Sequence, residues 1–120
     1  GSVWRLVEEP LDLSGVLRNQ VSDKDIVLID CLTLWLGNLM EAKEDIASAT
    51  SNLLAAIKAC PARLVFISNE VGQGIVPDNA LARQFRDEAG WLHQSLAAEI
   101  EAVLLVMAGL PLILKAPQQD

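Results

Sequence analysis

Uninterrupted apolar runs punctuate the chain and predict its strands. They occupy residues 26–29, 64–67, 103–107 and 111–114. These runs are continuous rather than alternating. We therefore expect the strand at residues 26–29, and the similar strand at residues 64–67, to be buried on both faces, as in a parallel sheet covered by helices. Only three residues separate the last two runs, so that pair is expected to form an antiparallel hairpin. Residues 3–7 are interpreted as a further short strand.

The segments between these runs carry apolar residues at the three-to-four-residue spacing of a helix. Helices are predicted from residue 11 to about residue 20, and over residues 34–40, 44–59 and 79–101. The last of them carries one apolar stripe, which consists of Leu81, Phe85, Ala89, Leu92, Leu96 and Ile100. Alternation of strands and helices predicts an α/β three-layer domain, with a mainly parallel sheet and helices on both faces.

The composition fits a single folded domain over residues 1–120. Hydrophobic residues make up 52% of the chain and charged residues 21%, which is too apolar for a disordered chain. Sixteen acidic and nine basic residues give a net charge of −7, so we expect no nucleic-acid partner. No apolar run reaches the roughly 20 residues of a membrane span, and no signal peptide is visible.

The cysteines and the single histidine limit which kinds of site the chain can hold. Cys31 and Cys60 are too few for a disulfide framework and are expected to be free thiols that behave as small core residues, so the cytoplasm is the expected compartment. His93 is the only histidine, which excludes a structural zinc site. A lone histidine on a helix is expected to have a structural role rather than a catalytic one.

Polar side chains follow two of the predicted parallel strands. Asp30 ends the run at residues 26–29, and Ser68, Asn69 and Glu70 follow the run at residues 64–67. Ligands of open parallel sheets bind beyond the carboxyl ends of the strands. Four apolar residues followed by an acid are also similar to the Walker B pattern, whose carboxylate holds Mg²⁺ or a water on it. The alternative for Asp30 is a purely structural one, the N-cap of the next helix.

A long connection leads from the second of these strands to the last predicted helix. It runs over residues 68–79 and contains Gly72 and Gly74, whose conformational freedom suits a loop that approaches a ligand closely. Ordinary connections of this kind take about 2–6 residues. The length therefore favours a functional loop over a simple connection.

Two long motifs give the chain a specific family resemblance. One is Ser-Asn-Glu-Val-Gly-Gln-Gly-Ile-Val-Pro at residues 68–77, and the other is Asn-Ala-Leu-Ala-Arg-Gln-Phe-Arg-Asp-Glu-Ala-Gly at residues 79–90. Together with residues 26–33 and the Asn-Leu pair at 38–39, they resemble the bifunctional adenosylcobinamide kinase / adenosylcobinamide-phosphate guanylyltransferase family of cobalamin biosynthesis. The resemblance implies a P-loop NTPase-like (RecA-like) fold. It covers the later two-thirds of a family member.

The resemblance also implies substrates and site residues. The parent enzyme would phosphorylate adenosylcobinamide with ATP or GTP and transfer GMP from GTP to form adenosylcobinamide-GDP, with Mg²⁺ as the metal. Glu8, in a Trp-x-x-x-Glu pattern, and Asp30, where relatives often carry Glu, match the family's nucleotide-contacting acids. Asn69 and Glu70 are candidates for substrate contacts. The family's trimeric assembly implies a homo-oligomer.

Two family features have no counterpart in these residues. No Gly-Lys-Ser or Gly-Lys-Thr of a phosphate loop occurs in the chain, and the family's guanylylated histidine would lie upstream of Trp4, so it is not His93. We therefore expect the chain by itself to lack both activities and to be incomplete at the N-terminal side of its sheet. The alternative is a non-catalytic module of P-loop-like fold that binds a nucleotide or corrinoid, or that only assembles with partners.

Overall fold

The computed structural model describes residues 4–71 and 79–117. Its elements are α1 (Leu13–Asn19), β1 (Ile26–Asp30), α2 (Leu32–Glu41), α3 (Ile46–Ala59), β2 (Arg63–Ile67), α4 (Ala80–Glu99), β3 (Val103–Met107) and β4 (Leu110–Lys115). The α/β class is confirmed, and so are all the predicted helices and the strands predicted from continuous apolar runs. The long connection between β2 and α4 lies mostly outside the described residues, because its glycine-containing part falls at residues 72–78.

The strands form two separate pairs in the described chain. β1 and β2 are parallel, with Ile29 opposite Phe66 and Asp30 opposite Ile67. β3 and β4 are antiparallel, as predicted, and are joined by a two-residue turn. Ala108 and Gly109 in that turn both have positive φ, 51° and 75°, as a type I′ hairpin turn requires.

All four helices contribute to one core, which packs against one face of the β1–β2 pair. This core contains Leu17 of α1, Leu36 of α2, Leu53 of α3 and Leu92 of α4, all fully buried. Val27, Leu64 and Phe66 pack against it from the sheet, together with buried Ile29. Helix contacts link α1 to α3, α2 to α4, and α3 to both α2 and α4.

The prediction that helices cover both faces of the sheet is wrong for the described residues. Side chains on the second face of the β1–β2 pair are exposed, including Leu28 (48%) and Val65 (49%). The parallel pairing places Leu28 opposite Val65 on the face away from the core. None of the described helices packs there, so the apolar runs of β1 and β2 are buried on one face only.

The predicted strand at residues 3–7 is also wrong as far as the structure describes it, because residues 4–7 have no strand conformation. A strand needs a hydrogen-bonded neighbour, and this segment is anchored by side chains instead. Trp35 Nε1 donates to the Leu11 carbonyl (2.9 Å) and Asn38 Nδ2 donates to the Pro10 carbonyl (3.1 Å). Arg5 also donates to the Gln20 carbonyl. The N-terminal segment therefore docks onto α2 and the end of α1.

Candidate functional site

The candidate site lies at the carboxyl ends of β1 and β2. We call it the carboxyl edge, and it consists of residues 30–33, at and after the end of β1, and residues 68–71, after β2. The pairing of Asp30 with Ile67 brings the two strand ends level, so the polar residues that follow them lie at one edge, as parallel strands require. Asp30, Asn69 and Glu70 are all exposed there.

A hydrogen bond joins the two halves of the carboxyl edge. Asn69 Nδ2 donates to Thr33 Oγ1 (3.2 Å), and the Cys31 Sγ lies 3.3 Å from the same hydroxyl. Thr33 is buried (6% exposed) in the first turn of α2. The segment after β2 is thus tied to the helix that follows β1, and the Asn69 side chain is held in place rather than free in solvent.

The Cys31 sulfur, and not the Asp30 carboxylate, caps the N-terminus of α2. Cys31 is the N-cap of α2, and its Sγ accepts from the Leu34 N–H (3.4 Å). Asp30 precedes the cap and makes no hydrogen bond or ion pair with any of the described residues. The structural alternative is therefore wrong for this residue, and the carboxylate of Asp30 is exposed at the strand end.

His93 lies behind the carboxyl edge, on α4. Its Nε2 is 2.5 Å from Ser68 Oγ, and both side chains are half-buried. This hydrogen bond connects the end of β2 to the long helix and satisfies the ring, in agreement with the structural role expected for a lone histidine. Ser68 thereby helps to fix the start of the segment that carries Asn69 and Glu70.

Glu8 lies in the N-terminal segment and is exposed. No hydrogen bond or ion pair among the described residues joins Glu8 to Asp30. The segment is positioned two residues further on, where the carbonyl of Pro10 accepts from Asn38. Its neighbour Glu9 is used structurally: the backbone N–H groups of Leu11 and Asp12 donate to Glu9 Oε2 (3.1 Å each) and hold the pKa of that carboxyl below its usual value of 4.5.

Sequence reasoning did not single out Thr33 or Asn38 as site residues, although both lie in the strings that carry the family resemblance. Thr33 binds Asn69, and Asn38 binds the Glu8-bearing segment through Pro10. One feature of the sequence could have identified them: both are polar residues in the largely apolar helix that directly follows a strand. Such residues are expected to have partners when the helix packs.

Neither a metal-ligand cluster nor a bilayer-spanning helix occurs in the described chain. No three His, Cys, Asp or Glu side chains within residues 4–71 and 79–117 are arranged as metal ligands. None of the described helices has the length and apolar character to cross a membrane. Cys31 and Cys60 are both free thiols.

Comparison with known proteins identifies the family. Residues 1–114 match the family described as cobinamide kinase / cobinamide phosphate guanyltransferase. The bifunctional adenosylcobalamin biosynthesis protein CobP of Pseudomonas aeruginosa is 43% identical over 114 residues, which cover 93% of this chain and 66% of that protein. The CobU proteins of Escherichia coli and Salmonella typhimurium are 36% and 35% identical, and the match covers 93% of this chain and 70% of each of them.

The chain thus spans about two thirds of the length of these relatives. Within that span, the match includes the carboxyl edge and the N-terminal segment that carries Glu8. The match extends over 114 of the 120 residues. This chain therefore belongs to the cobinamide kinase / cobinamide phosphate guanyltransferase family.

Proposed function

We propose that this protein takes part in cobalamin biosynthesis as an adenosylcobinamide kinase and adenosylcobinamide-phosphate guanylyltransferase. The reaction sequence is phosphorylation of the adenosylcobinamide hydroxyl by ATP or GTP, followed by transfer of GMP from GTP to give adenosylcobinamide-GDP. The observation that carries the proposal is the family match over residues 1–114. The free thiols of the two cysteines are compatible with a cytoplasmic enzyme.

Glu8 and Asp30 are proposed to contact the nucleotide. A carboxylate accepts hydrogen bonds from the N1–H and N2–H₂ donors of guanine, or binds a metal that a nucleotide carries. Support for Asp30 comes from its exposure at the strand end and from Cys31, which leaves the carboxylate out of helix capping. Support for Glu8 comes from the docking of its segment onto α2 through Asn38.

The carboxylate of Asp30 also suits Mg²⁺. Magnesium in nucleotide sites is held by one or two carboxylates together with substrate phosphates, so a cluster of three protein ligands is not required. When bound, the metal would neutralise charge on the phosphates during phosphoryl transfer. Asp30, which directly ends a strand at the carboxyl edge, is the residue proposed for this ligand role.

Asn69 and Glu70 are proposed to contact the corrinoid substrate. Asn69 is held by Thr33, and the Ser68–His93 hydrogen bond fixes the preceding residue. Preorganisation of this kind reduces the conformational entropy that substrate binding would otherwise cost. The segment is therefore suited to orient a substrate against a nucleotide at the same edge.

The P-loop-like fold and a homo-oligomeric state belong to the same proposal. Parallel sheets of that fold are covered on both faces, whereas Leu28 and Val65 are exposed on the second face of the β1–β2 pair. Additional sheet, helix or subunit surface would bury these side chains. The proposed assembly is a homo-oligomer with a larger sheet than these residues form alone.

The experiment that tests the function uses the product of the complete reading frame, including any codons that precede Gly1. The protein is incubated with adenosylcobinamide, GTP and Mg²⁺, and products are separated by liquid chromatography with mass detection. We expect adenosylcobinamide phosphate first and adenosylcobinamide-GDP afterwards. Binding of nucleotide or corrinoid without either product would contradict the proposal and favour a non-catalytic binding module.

A further inference from the structure

A cavity of about 720 Å³ lies between α2 and the first turns of α4. Its apolar walls are formed by Gly37 and Met40 of α2, by Val71, and by Leu81 and Phe85 of α4. Small-molecule sites typically measure about 300–1,000 Å³ and are mostly apolar with a few polar groups. The cavity therefore has the size and lining of a ligand site.

The apolar stripe of α4 begins at this cavity, and its first side chain there is exposed to solvent. Further along the stripe, Ala89, Leu92 and Leu96 are buried in the core, but Leu81 is 67% exposed at its beginning. Phe85 is half-buried between these two parts. Exposure of large apolar side chains in a concave surface next to a candidate site is typical of binding surfaces.

The cavity is continuous with the carboxyl edge. Thr33, which binds Asn69, and Gly37, which lines the cavity, are one turn apart on the same face of α2, a rise of about 6 Å. On the other side, Val71 lines the cavity and directly follows Glu70. A ligand in the cavity would therefore extend to Asn69 and Glu70.

The polar part of the lining consists of Asn79 and two charged residues. Glu41, at the end of α2, and Arg86, on α4, both contribute to the cavity wall. Arg86 is mostly buried at the side chain (28% exposed) and pairs with Asp87 at 3.4 Å. A carboxylate accepts and a guanidinium donates hydrogen bonds, so together they complement primary amides, which offer one acceptor and two donors.

We propose that this cavity binds the corrin ring of the substrate, with the ring face against Leu81 and Phe85 and its peripheral amides near Glu41 and Arg86. The inference rests on the proposed function, because the family description makes cobinamide the substrate. It adds the location: the macrocycle lies between α2 and α4, and its reactive arm is directed along α2 toward Asn69 and Glu70.

A matched pair of glycine substitutions tests the location. Gly37→Leu projects a side chain into the cavity, and its Cβ would lie 3.9 Å from Phe85 Cε2, an ordinary van der Waals contact. Gly90→Leu makes the same change on α4, where an added Cβ meets no atom within 4 Å. Both replace glycine inside a helix, so both are expected to gain helix propensity.

Binding of dicyanocobinamide to the complete gene product is measured by calorimetry, and folding is followed by circular dichroism. We expect Gly37→Leu to weaken corrinoid binding by about tenfold or more, and Gly90→Leu to change it by less than about twofold. GTP titrated into the same variants is expected to bind each of them alike. Leu81→Asp, at an exposed position, is a second variant that is expected to fold and to weaken corrinoid binding.

Two results would overturn the proposal. They are equal corrinoid binding by the folded Gly37→Leu and Gly90→Leu variants, and a loss of GTP binding rather than corrinoid binding in Gly37→Leu. Neither result changes product formation by the unsubstituted gene product, so a wrong location of the corrinoid site can be told apart from a wrong proposed function.

Discussion

The helix-covered part of the molecule, from α1 to α4 with the β1–β2 pair, differs sharply from the C-terminal hairpin β3–β4. Both contain strands that are continuous apolar runs. In the first part, Ile29 is buried under a layer of helices. In the hairpin, Val106 and Ile113 are 64% and 66% exposed, and a hydrogen bond from Lys115 Nζ to the Ala97 carbonyl (2.7 Å) connects it to α4.

The difference shows that an apolar strand is buried only when another element lies on its face. In β1, Ile29 belongs to the core that the four helices share, and Val27 packs against it. The hairpin follows α4 directly, and apolar side chains are exposed on both of its faces, including Val106 (64%) on one and Leu112 (55%) on the other. The two parts should therefore respond differently to the same kind of substitution.

The largest expected effect is a loss of stability on truncating the helix core. Leu36 is fully buried, so Leu36→Ala is expected to lower the free energy of unfolding by about 2–5 kcal/mol, through lost transfer energy and a cavity. Ile113→Ala, a matched aliphatic truncation at an exposed site, is expected to change it by less than about 0.5 kcal/mol. Urea unfolding monitored by circular dichroism measures both. Equal losses would mean that the hairpin is packed in solution.

Nucleotide binding should depend on acidic residues outside the hairpin β3–β4 and not on a carboxylate next to the hairpin. In the complete gene product, Glu8→Ala and Asp30→Ala are each expected to weaken GTP binding by about 10- to 150-fold, the effect of losing a charged hydrogen-bond partner worth about 1.5–3 kcal/mol. Glu101→Ala, a carboxylate removed just before the hairpin, and His93→Asn are the controls and should leave affinity unchanged. Unaltered binding by both acid variants would refute the nucleotide-contact assignment.

Self-association of the 120-residue chain should come from its uncovered apolar surfaces. Burial of about 1,000 Å² of largely apolar surface contributes roughly 25 cal/mol per Å² before association entropy is subtracted. A net charge of −7 opposes this only weakly where salt screens beyond about 8 Å. Light scattering of a dilute sample at moderate salt is therefore expected to show an oligomer.

The hairpin can be tested as the source of that association. Val106→Thr with Ile113→Thr retains β-branched side chains on the exposed face while making them polar, and is expected to raise the dissociation constant by about tenfold. The parallel double variant, Leu28→Thr with Val65→Thr, tests the uncovered face of the β1–β2 pair in the same way, and the larger rise in the dissociation constant identifies the surface that associates. A clean 13.0 kDa monomer before any substitution would refute the prediction.

The smallest expected effect is pH-dependent and concerns the start of α3. Asp45 is the N-cap, and the Ser48 N–H donates to its carboxylate at 3.2 Å, which lowers the pKa of Asp45 from its usual 3.8. A lowered pKa means that the stabilisation is present above pH 3.8 and is lost as the pH falls through the folded-state value. Asp45→Ala should therefore lower the melting temperature slightly at pH 7, and the difference should shrink toward pH 3.

The side-chain hydroxyl of Ser48 offers the matching control. It donates to Asp45 Oδ2 at 3.1 Å, and Ser48→Ala removes this donor but keeps the backbone N–H. Part of the pH dependence should therefore remain in Ser48→Ala. A melting-temperature difference for Asp45→Ala that persists unchanged at pH 3 would contradict a charged cap.

The sequence by itself determined the local elements and the candidate chemistry. Helical spacing located all four helices, and continuous apolar runs located β1 to β4, because side-chain periodicity is a local property of the chain. The three-residue separation before residue 111 predicted the hairpin, whose turn has the positive φ values of Ala108 and Gly109. The polar residues that follow two predicted strands indicated the carboxyl edge, because ligands of parallel sheets bind beyond the carboxyl ends of the strands.

Only the tertiary structure decided which partners these residues have. An apolar run has the same sequence pattern whether one or both faces of the strand are covered. The exposure of Leu28 and Val106 could therefore not be predicted from the pattern. The Thr33–Asn69 and Ser68–His93 hydrogen bonds join residues that are 36 and 25 positions apart, whose side chains meet only after packing. Coverage and pairing depend on contacts between distant parts of the chain, which local periodicity does not encode.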